Sequence, residues 1–510
     1  MEGVFFMRNL RNRLGIIFLL LTFFFSLLIM RLAYIQIVIG DELHQQAIRI
    51  QSRYISSEEF SRADITDSEG VSLIGSEVET REAVITRDRR AFIRADLDEL
   101  VAVANSDEYY IFSMPLIIRY GEESLARHLI GHLADGRGAA GLERIYDDYL
   151  VSTPRYLWRI VLDRKGNIVP GLSFQIEERD VLRNQLVLTL NKEIQMIVES
   201  VMDHHSIIGA VVVMNPHNGD LLAVASRPNY DQNNILAAQG SGLLNKAFQF
   251  YFPASVFKIF IAAAVLEEGL AAPVDRFYCT GAYVLPTGLS IGCWYREGHG
   301  NLNFIEAMAH SCNPVFIDVG LRLGRSNILR YAERLGLTRN TIMGHPQNEV
   351  NRINVDFGPG SIANASLGQE GIMITPVQMG VLTSSIANGG YAVTPRVVME
   401  IQDEMGRAVQ EIDSVFPYKI WSDTTVSVLK DMLYAAGSWG TGINAWSNEV
   451  PSAGKTGTAE RGRGLNALFS GYFPLDNPEY VIVVVAEGGR GGGIDAAPIF
   501  REIKEKITMQ

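Results

Sequence analysis

The stretch Gly209-Ala-Val-Val-Val-Met-Asn-Pro-His-Asn-Gly-Asp-Leu-Leu-Ala-Val-Ala-Ser226 carries two compact apolar runs separated by Asn215-Pro-His-Asn-Gly219. Valine suits the pleated surface of a sheet, whereas proline and an Asn-Gly pair favour a chain reversal, so the stretch reads as a β-hairpin. Immediately upstream, Leu186 to Leu190 reads as a strand. Asn191 then caps a helix with Ile194, Ile197, Val198, Val201 and Met202 on one stripe. At the far end, Ser452 to Ala459, Leu468 to Phe473 and Tyr480 to Ala486 read as three further strands, followed by a helix from Ala497 to Ile507. Strands at both ends with helices between them predict an α+β domain. Its antiparallel sheet closes where the first and last strands meet, and a helical block packs against it.

Outward from this domain the chain is long, 510 residues, which predicts two or three folding units. A net charge of -12 excludes a general nucleic-acid binder, because that work needs a basic stripe to displace phosphate counterions. Leu14 to Met30 is almost wholly apolar, is preceded by Arg8, Arg11 and Arg13, and continues past Arg31 as Leu32 to Ile39. The run is long enough to cross a bilayer of about 30 Å as a helix. Its basic flank predicts residues 1–13 inside the cell and the remainder outside, and no small-x-small cleavage site follows it. The expected division is a cytoplasmic segment 1–13, an anchor 14–39, a polar N-terminal module 40–180 and the α+β domain 181–510.

The chemistry-bearing residues lie within that last domain. Pro253-Ala-Ser-Val-Phe-Lys258 opens a segment to Leu266 that is apolar on nearly every side and is closed by Gly269, the pattern of a core helix. Ser255 and Lys258 share one helix face at its N-terminal end, so the amine can reach the hydroxyl, and burial would leave the amine neutral enough to serve as a base. Ser311-Cys-Asn313 follows a predicted helix from Phe304 to His310. Lys455-Thr-Gly-Thr458 lies on a predicted strand, where Gly457 implies a close approach to the backbone, such as a substrate peptide laid along the edge.

Other features carry less. His128 and His132 have metal-ligand spacing, but no glutamate base lies between them and Gly131 interrupts the helix signal, so no metal site is expected. Gly488 to Gly493 lacks the ending of a phosphate loop. Trp294, Tyr295 and His299 line a cleft or pack. Cys279, Cys293 and Cys312 are the three cysteines, too few for a disulfide scaffold. Cys279 and Cys293 bracket a short segment where a bridge is sterically open in an oxidising compartment.

Ser-x-x-Lys at a buried helix start, Ser-x-Asn after it and Lys-Thr-Gly on a late strand, in that order, resemble the motif set of penicillin-binding transpeptidases. Gly368-Gln-Glu-Gly371, Thr375-Pro376-Val-Gln378 and Ile386-Ala-Asn-Gly-Gly390 resemble that family's middle segment. Gly141-Leu-Glu-Arg-Ile-Tyr146 is similar to a stretch of its monofunctional, class B branch. Ser61-Arg-Ala-Asp-Ile-Thr-Asp67 resembles that branch's Arg-Gly-x-Ile signature but departs from it at Ala63 and Asp64.

The resemblance implies a five-stranded antiparallel sheet flanked by helices, behind a pedestal of dimerisation type. It also implies a peptidoglycan D,D-transpeptidase without cofactor that is acylated by β-lactams. In that scheme Ser255 attacks the carbonyl between two terminal D-alanines of a stem peptide. Lys258 is the base, Ser311 relays the proton and Asn313 binds the peptide amide. Lys455 adds a positive charge that keeps Lys258 neutral, Thr456 and Thr458 take the substrate carboxylate beside Gly457, and the N–H groups of Ser255 and Thr458 form the oxyanion hole. The implied partners are the membrane, a second copy of the chain, and a polytopic glycosyltransferase of the shape, elongation, division and sporulation family. A carboxypeptidase or β-lactamase, and a non-catalytic β-lactam sensor or scaffold, stay open as alternatives.

Overall fold

The valine-rich run folds as β1 (Gly209–Met214) and its successor as β2 (Leu221–Arg227), an antiparallel pair around the Asn215–Gly219 reversal. The computed structural model describes every residue except 1, 57–61, 87–90, 94–108, 135, 152–155, 162, 165–168, 170–174, 179–183, 239, 348–349, 404, 462–463 and 510. Near the other terminus, β3 (Ala453–Arg461), β4 (Gly464–Phe473) and β5 (Tyr480–Gly489) complete an all-antiparallel five-stranded sheet in the order β2-β1-β5-β4-β3. The closure expected from sequence is present, because β1 pairs with β5 from Gly209↔Ala486 to Met214↔Val481.

Both faces of the sheet are covered, which is why β1 reads as an unbroken apolar run. Side chains alternate across a strand. Val211 and Val213 therefore join Ile194, Val198 and Val201 of α1 (Lys192–His204) and Phe500 and Ile503 of the C-terminal helix Ala497–Thr508. Ala210, Val212 and Met214 face the opposite way, into a core shared with α2 (Lys258–Glu267) and the helix Pro376–Ala387. The Asn191 side chain accepts from the Ile194 N–H and caps α1 as expected. The α2 helix is buried on every side from Lys258 to Val265. A capping box between Asn303 and Glu306 starts α3 (Phe304–Ala309), and α4 (Asn313–Arg334) follows directly.

The chain forms two compact units that interleave in sequence: 1–58, 79–116 and 154–181 make one, and 59–78, 117–153 and 182–510 make the other. This differs from a single division at 180/181, a point that lies outside the described residues, as does Ser61. The reason is long-range pairing that local pattern does not show. Strand Asp64–Thr66 pairs in parallel with Gln185–Val187, and the latter strand pairs with Val398–Gln402 in a sheet separate from the five-stranded one. Glu143, fully buried, accepts from Arg62, Arg119 and Tyr120 and so ties the early segments of this unit together. A buried carboxylate costs too much to leave unpaired, which accounts for the Gly141-Leu-Glu pattern structurally.

In the first unit, helix Glu2–Ala33 runs through a π-turn into Gly40–Gln51, and two three-stranded sheets follow. The span Arg11–Val38, 28 residues and unburied throughout, is long and apolar enough to cross a bilayer. The protein is membrane-anchored.

Candidate active site

Ser255 lies on a 3-10 turn, Ala254–Phe257, that leads into α2. Ala254 is held in the left-handed region at φ 47°, a conformation that costs a non-glycine residue energy and aims the next side chain. Its N–H donates to the Gly368 carbonyl at 2.8 Å. Ser255 is half-buried, and its hydroxyl has no hydrogen-bond partner among the described residues.

Lys258, one helical turn on, is fully buried. Its Nζ donates to Asn313 Oδ1 at 2.7 Å and the Ser311 carbonyl at 2.9 Å, and it lies 3.3 Å from Ser311 Oγ. Sequence spacing pointed the amine at Ser255; the structure seats it against Ser311 and Asn313. The turn between α3 and α4 makes this possible by putting Ser311 at φ 55°, a second strained residue, while the Asn313 amide anchors to the Gly292 carbonyl at 3.1 Å.

Strand β3 is the edge of the sheet and brings Lys455 to the same place. Lys455 is fully buried, with Nζ 3.2 Å from the Thr456 carbonyl and 3.4 Å from both Thr441 Oγ1 and Thr456 Oγ1. Thr441 was not found from the sequence, since it lies in no motif; its hydroxyl is 2.8 Å from that of Thr456. Thr456 is thereby engaged, whereas Thr458 is exposed and accepts from the Gly492 N–H at 3.1 Å. Gly457 also serves packing within the protein. A Cβ there would stand 2.9 Å from the Pro253 carbonyl and 3.1 Å from Val256, so the absent side chain lets β3 close on the Ser255 turn.

Burial pushes both lysines down, Lys258 to about 8 and Lys455 well below its ordinary value; for Lys455 the nearby charge of Lys258 adds to the effect. Two ammonium groups are not sustained together in this space. The sequence reading made Lys455 the standing positive charge; burial and the neighbouring Lys258 charge both act against that charge.

Gly368 holds φ 65°, and a Cβ on it would come within 2.2 Å of the Ala254 carbonyl. Gly368→Ala should therefore displace the Ser255 turn and strain its own backbone, lowering stability by about 1–3 kcal/mol. Thermal unfolding of the purified variant checks this.

His128 and His132 do not converge on a ligand site: His128 Nε2 meets the Gly242 carbonyl at 2.8 Å and His132 Nδ1 the Tyr230 hydroxyl at 3.3 Å. Cys279 and Cys293, whose pairing the sequence left open, are free thiols, and both converge with Cys312 and His299. Sequence reading missed that cluster because Cys293, His299 and Cys312 lie in connecting segments, where no periodic pattern shows which side chains converge.

Residues 209–505, more than half of the chain, match the family described as penicillin binding protein transpeptidase domain. The chain belongs to the penicillin-binding transpeptidase family. It is 28% identical to stage V sporulation protein D of Bacillus subtilis, over 97% of this chain and 85% of that one. It is 25% identical to the peptidoglycan D,D-transpeptidase MrdA of Haemophilus influenzae, over 73% and 63%. Among solved structures, penicillin binding protein 3 of Mycobacterium tuberculosis superposes with a TM-score of 0.68 at 23% identity, covering 90% of this chain and 97% of that one. A chain of a peptidoglycan synthase complex superposes with a TM-score of 0.67 at 22% identity, covering 97% and 98%. These last two establish the likeness of fold.

Proposed function

We propose that this membrane-anchored penicillin-binding transpeptidase cross-links peptidoglycan stem peptides through an acyl-enzyme on Ser255. The observation that carries the reading is the seating of one buried amine, Lys258, against both Ser311 and Asn313, one turn from Ser255 and beside Lys455. A terminal D-alanine carboxylate arriving at Lys455 and the exposed Thr458 favours the charged form of Lys455. Repulsion then drives Lys258 further toward the neutral amine. In that state Lys258 takes the Ser255 proton as the hydroxyl oxygen bonds to the peptide carbonyl carbon. The N–H groups of Ser255 and Thr458 stabilise the oxyanion, and Ser311 passes the proton to the departing D-alanine nitrogen. The amine of a second stem peptide then displaces the serine oxygen.

Transfer is favoured over hydrolysis by the absence of any carboxylate among the hydrogen-bond partners of Lys258, Ser311, Asn313 and Lys455 in the described residues. The basic flank of the anchor supports a catalytic unit outside the cytoplasmic membrane. The likeness to a chain of a peptidoglycan synthase complex supports a separate, membrane-embedded glycosyltransferase as the partner that makes the glycan.

Fluorescent penicillin tests the reading. The purified chain should form a covalent adduct that persists for many minutes, at a rate that rises with pH and levels off above about 8 as Lys258 loses its proton. Rapid release of opened drug would make the protein a hydrolase, and a rate unchanged between pH ~6 and ~9 would remove Lys258 as the base.

A further inference from the structure

Helix α1 and the C-terminal helix Ala497–Thr508 pack together on one face of the five-stranded sheet, where Val198 and Val201 of the first share a core with Phe500 and Ile503 of the second. That apolar contact decides which residues meet at its rim. At the end of α1 they are His204, the last helical residue, and His205, its C-cap, with Glu502 of the other helix beside them. Consecutive residues of a helix point about 100° apart and do not face one partner. Here the chain turns out of the helix as the pair ends. The Ser206 N–H donates to the Asp203 carbonyl at 3.0 Å and the Ile207 N–H to the Met202 carbonyl at 3.2 Å, with Ser206 at φ 50° in the left-handed position that glycine ordinarily takes. The two rings come to lie 5.0 Å apart, centroid to centroid.

Both rings reach the same carboxylate, each by a different oxygen. His204 Nδ1 is 3.4 Å from Glu502 Oε1, and His205 Nε2 is 2.8 Å from Oε2. One ligand-capable atom from each of the three residues lies within 4.8 Å of the other two. Zinc bonds of about 2.0–2.2 Å to imidazole nitrogen and carboxylate oxygen place tetrahedral neighbours roughly 3.3–3.5 Å apart. The first contact already has that spacing. The second is a hydrogen bond, whose shared proton a metal ion would replace. His204 is largely exposed, so an ion enters from solvent without opening the core. The partial negative charge at the end of α1 and the Glu502 carboxylate both attract a cation there. Lys506, with Nζ 3.1 Å from Glu502 Oε1, is the competing charge; it is half-exposed on a flexible stem and free to swing into water. Asp203 is committed to Arg227.

We propose that His204, His205 and Glu502 bind one zinc ion, with water completing its shell, that ties the end of α1 to the C-terminal helix. Two imidazoles with one carboxylate select zinc over magnesium and calcium, which take oxygen ligands. Binding releases the proton shared by His205 and Glu502 to solvent and frees Lys506 from its ion pair. The ion then fastens by coordination a terminal helix that is otherwise held by apolar packing and by Lys504, whose Nζ donates to the Val450 carbonyl at 2.6 Å and to Ser452 Oγ at 2.7 Å. The site is separate from the acyl-enzyme chemistry and does not rest on it.

The test uses the full chain in detergent, stripped with a chelator, dialysed free of it, and treated with diethyl pyrocarbonate in the presence and absence of zinc chloride. The reagent modifies uncoordinated imidazole nitrogen, and peptide mass mapping reads each histidine by itself, so zinc held by thiols elsewhere does not enter the measurement. Zinc should slow modification of His204 and His205 roughly tenfold or more, while the exposed His44 reacts at an unchanged rate. Glu502→Gln keeps the shape of the side chain and removes its charge, and should reduce the protection to about threefold or less. The comparison on the natural sequence does not depend on that variant folding. Equal modification with and without zinc would overturn the site. So would protection that persists in folded Glu502→Gln, or protection by magnesium equal to that by zinc.

Discussion

Ser255→Ala leaves the chain folded and abolishes covalent labelling by penicillin, with the acylation rate falling at least about 10⁵-fold. Two observations set this expectation. The hydroxyl makes no hydrogen bond with the described residues and is half-buried, so its removal orphans no partner, and stability changes by less than about 1 kcal/mol. The neighbouring hydroxyl cannot take over, because Ser311 Oγ is committed to the Lys258 amine at 3.3 Å and its backbone is locked at φ 55°. Gel fluorescence after penicillin treatment, beside a melting curve that moves by only a few degrees, is the decisive pair of measurements. Labelling that survives in the folded variant would place the nucleophile elsewhere.

The catalytic sheet was legible in the sequence because its strands are covered on both faces. Burial all along β1 and over most of β4 and β5 turns them into apolar runs bounded by turn residues, and all three appear where expected. The fully buried α2 announced itself in the same way. Two kinds of information were not available locally. The pairing of Asp64–Thr66 with Gln185–Val187 joins strands far apart in sequence, so the interleaving of the two units had no local signal. Side-chain aim within the site was also hidden. Spacing placed Lys258 one turn from Ser255, but the direction of its amine depends on the left-handed turn at Ser311, which a non-glycine residue does not advertise. Gly457 was read as a close approach to the backbone, and one such approach is that of the Pro253 carbonyl on the Ser255 turn.

Lys258→Met should separate stability from chemistry. Methionine nearly matches the volume of the lysine stem and carries no charge into a site with no solvent exposure. In the natural protein Lys258 sits at about 8 in the fold against 10.5 when unfolded, so the folded state binds fewer protons between those values. Stability therefore rises with pH across that window, and below about 8 the protonated lysine carries its full burial cost, on the order of 3 kcal/mol. The substitution removes that cost. Against it, the Ser311 carbonyl and Asn313 Oδ1 lose a donor, at about 1–3 kcal/mol each. The two effects nearly cancel, so the variant should fold with its melting temperature near the natural one. Its acylation rate should nevertheless fall about 10²–10⁴-fold, the range for loss of a general base. Lys455, relieved of its charged neighbour, should hold its own proton more firmly and keep penicillin bound noncovalently. A folded Lys258→Met that acylates within about fivefold of the natural rate would assign the base to another group.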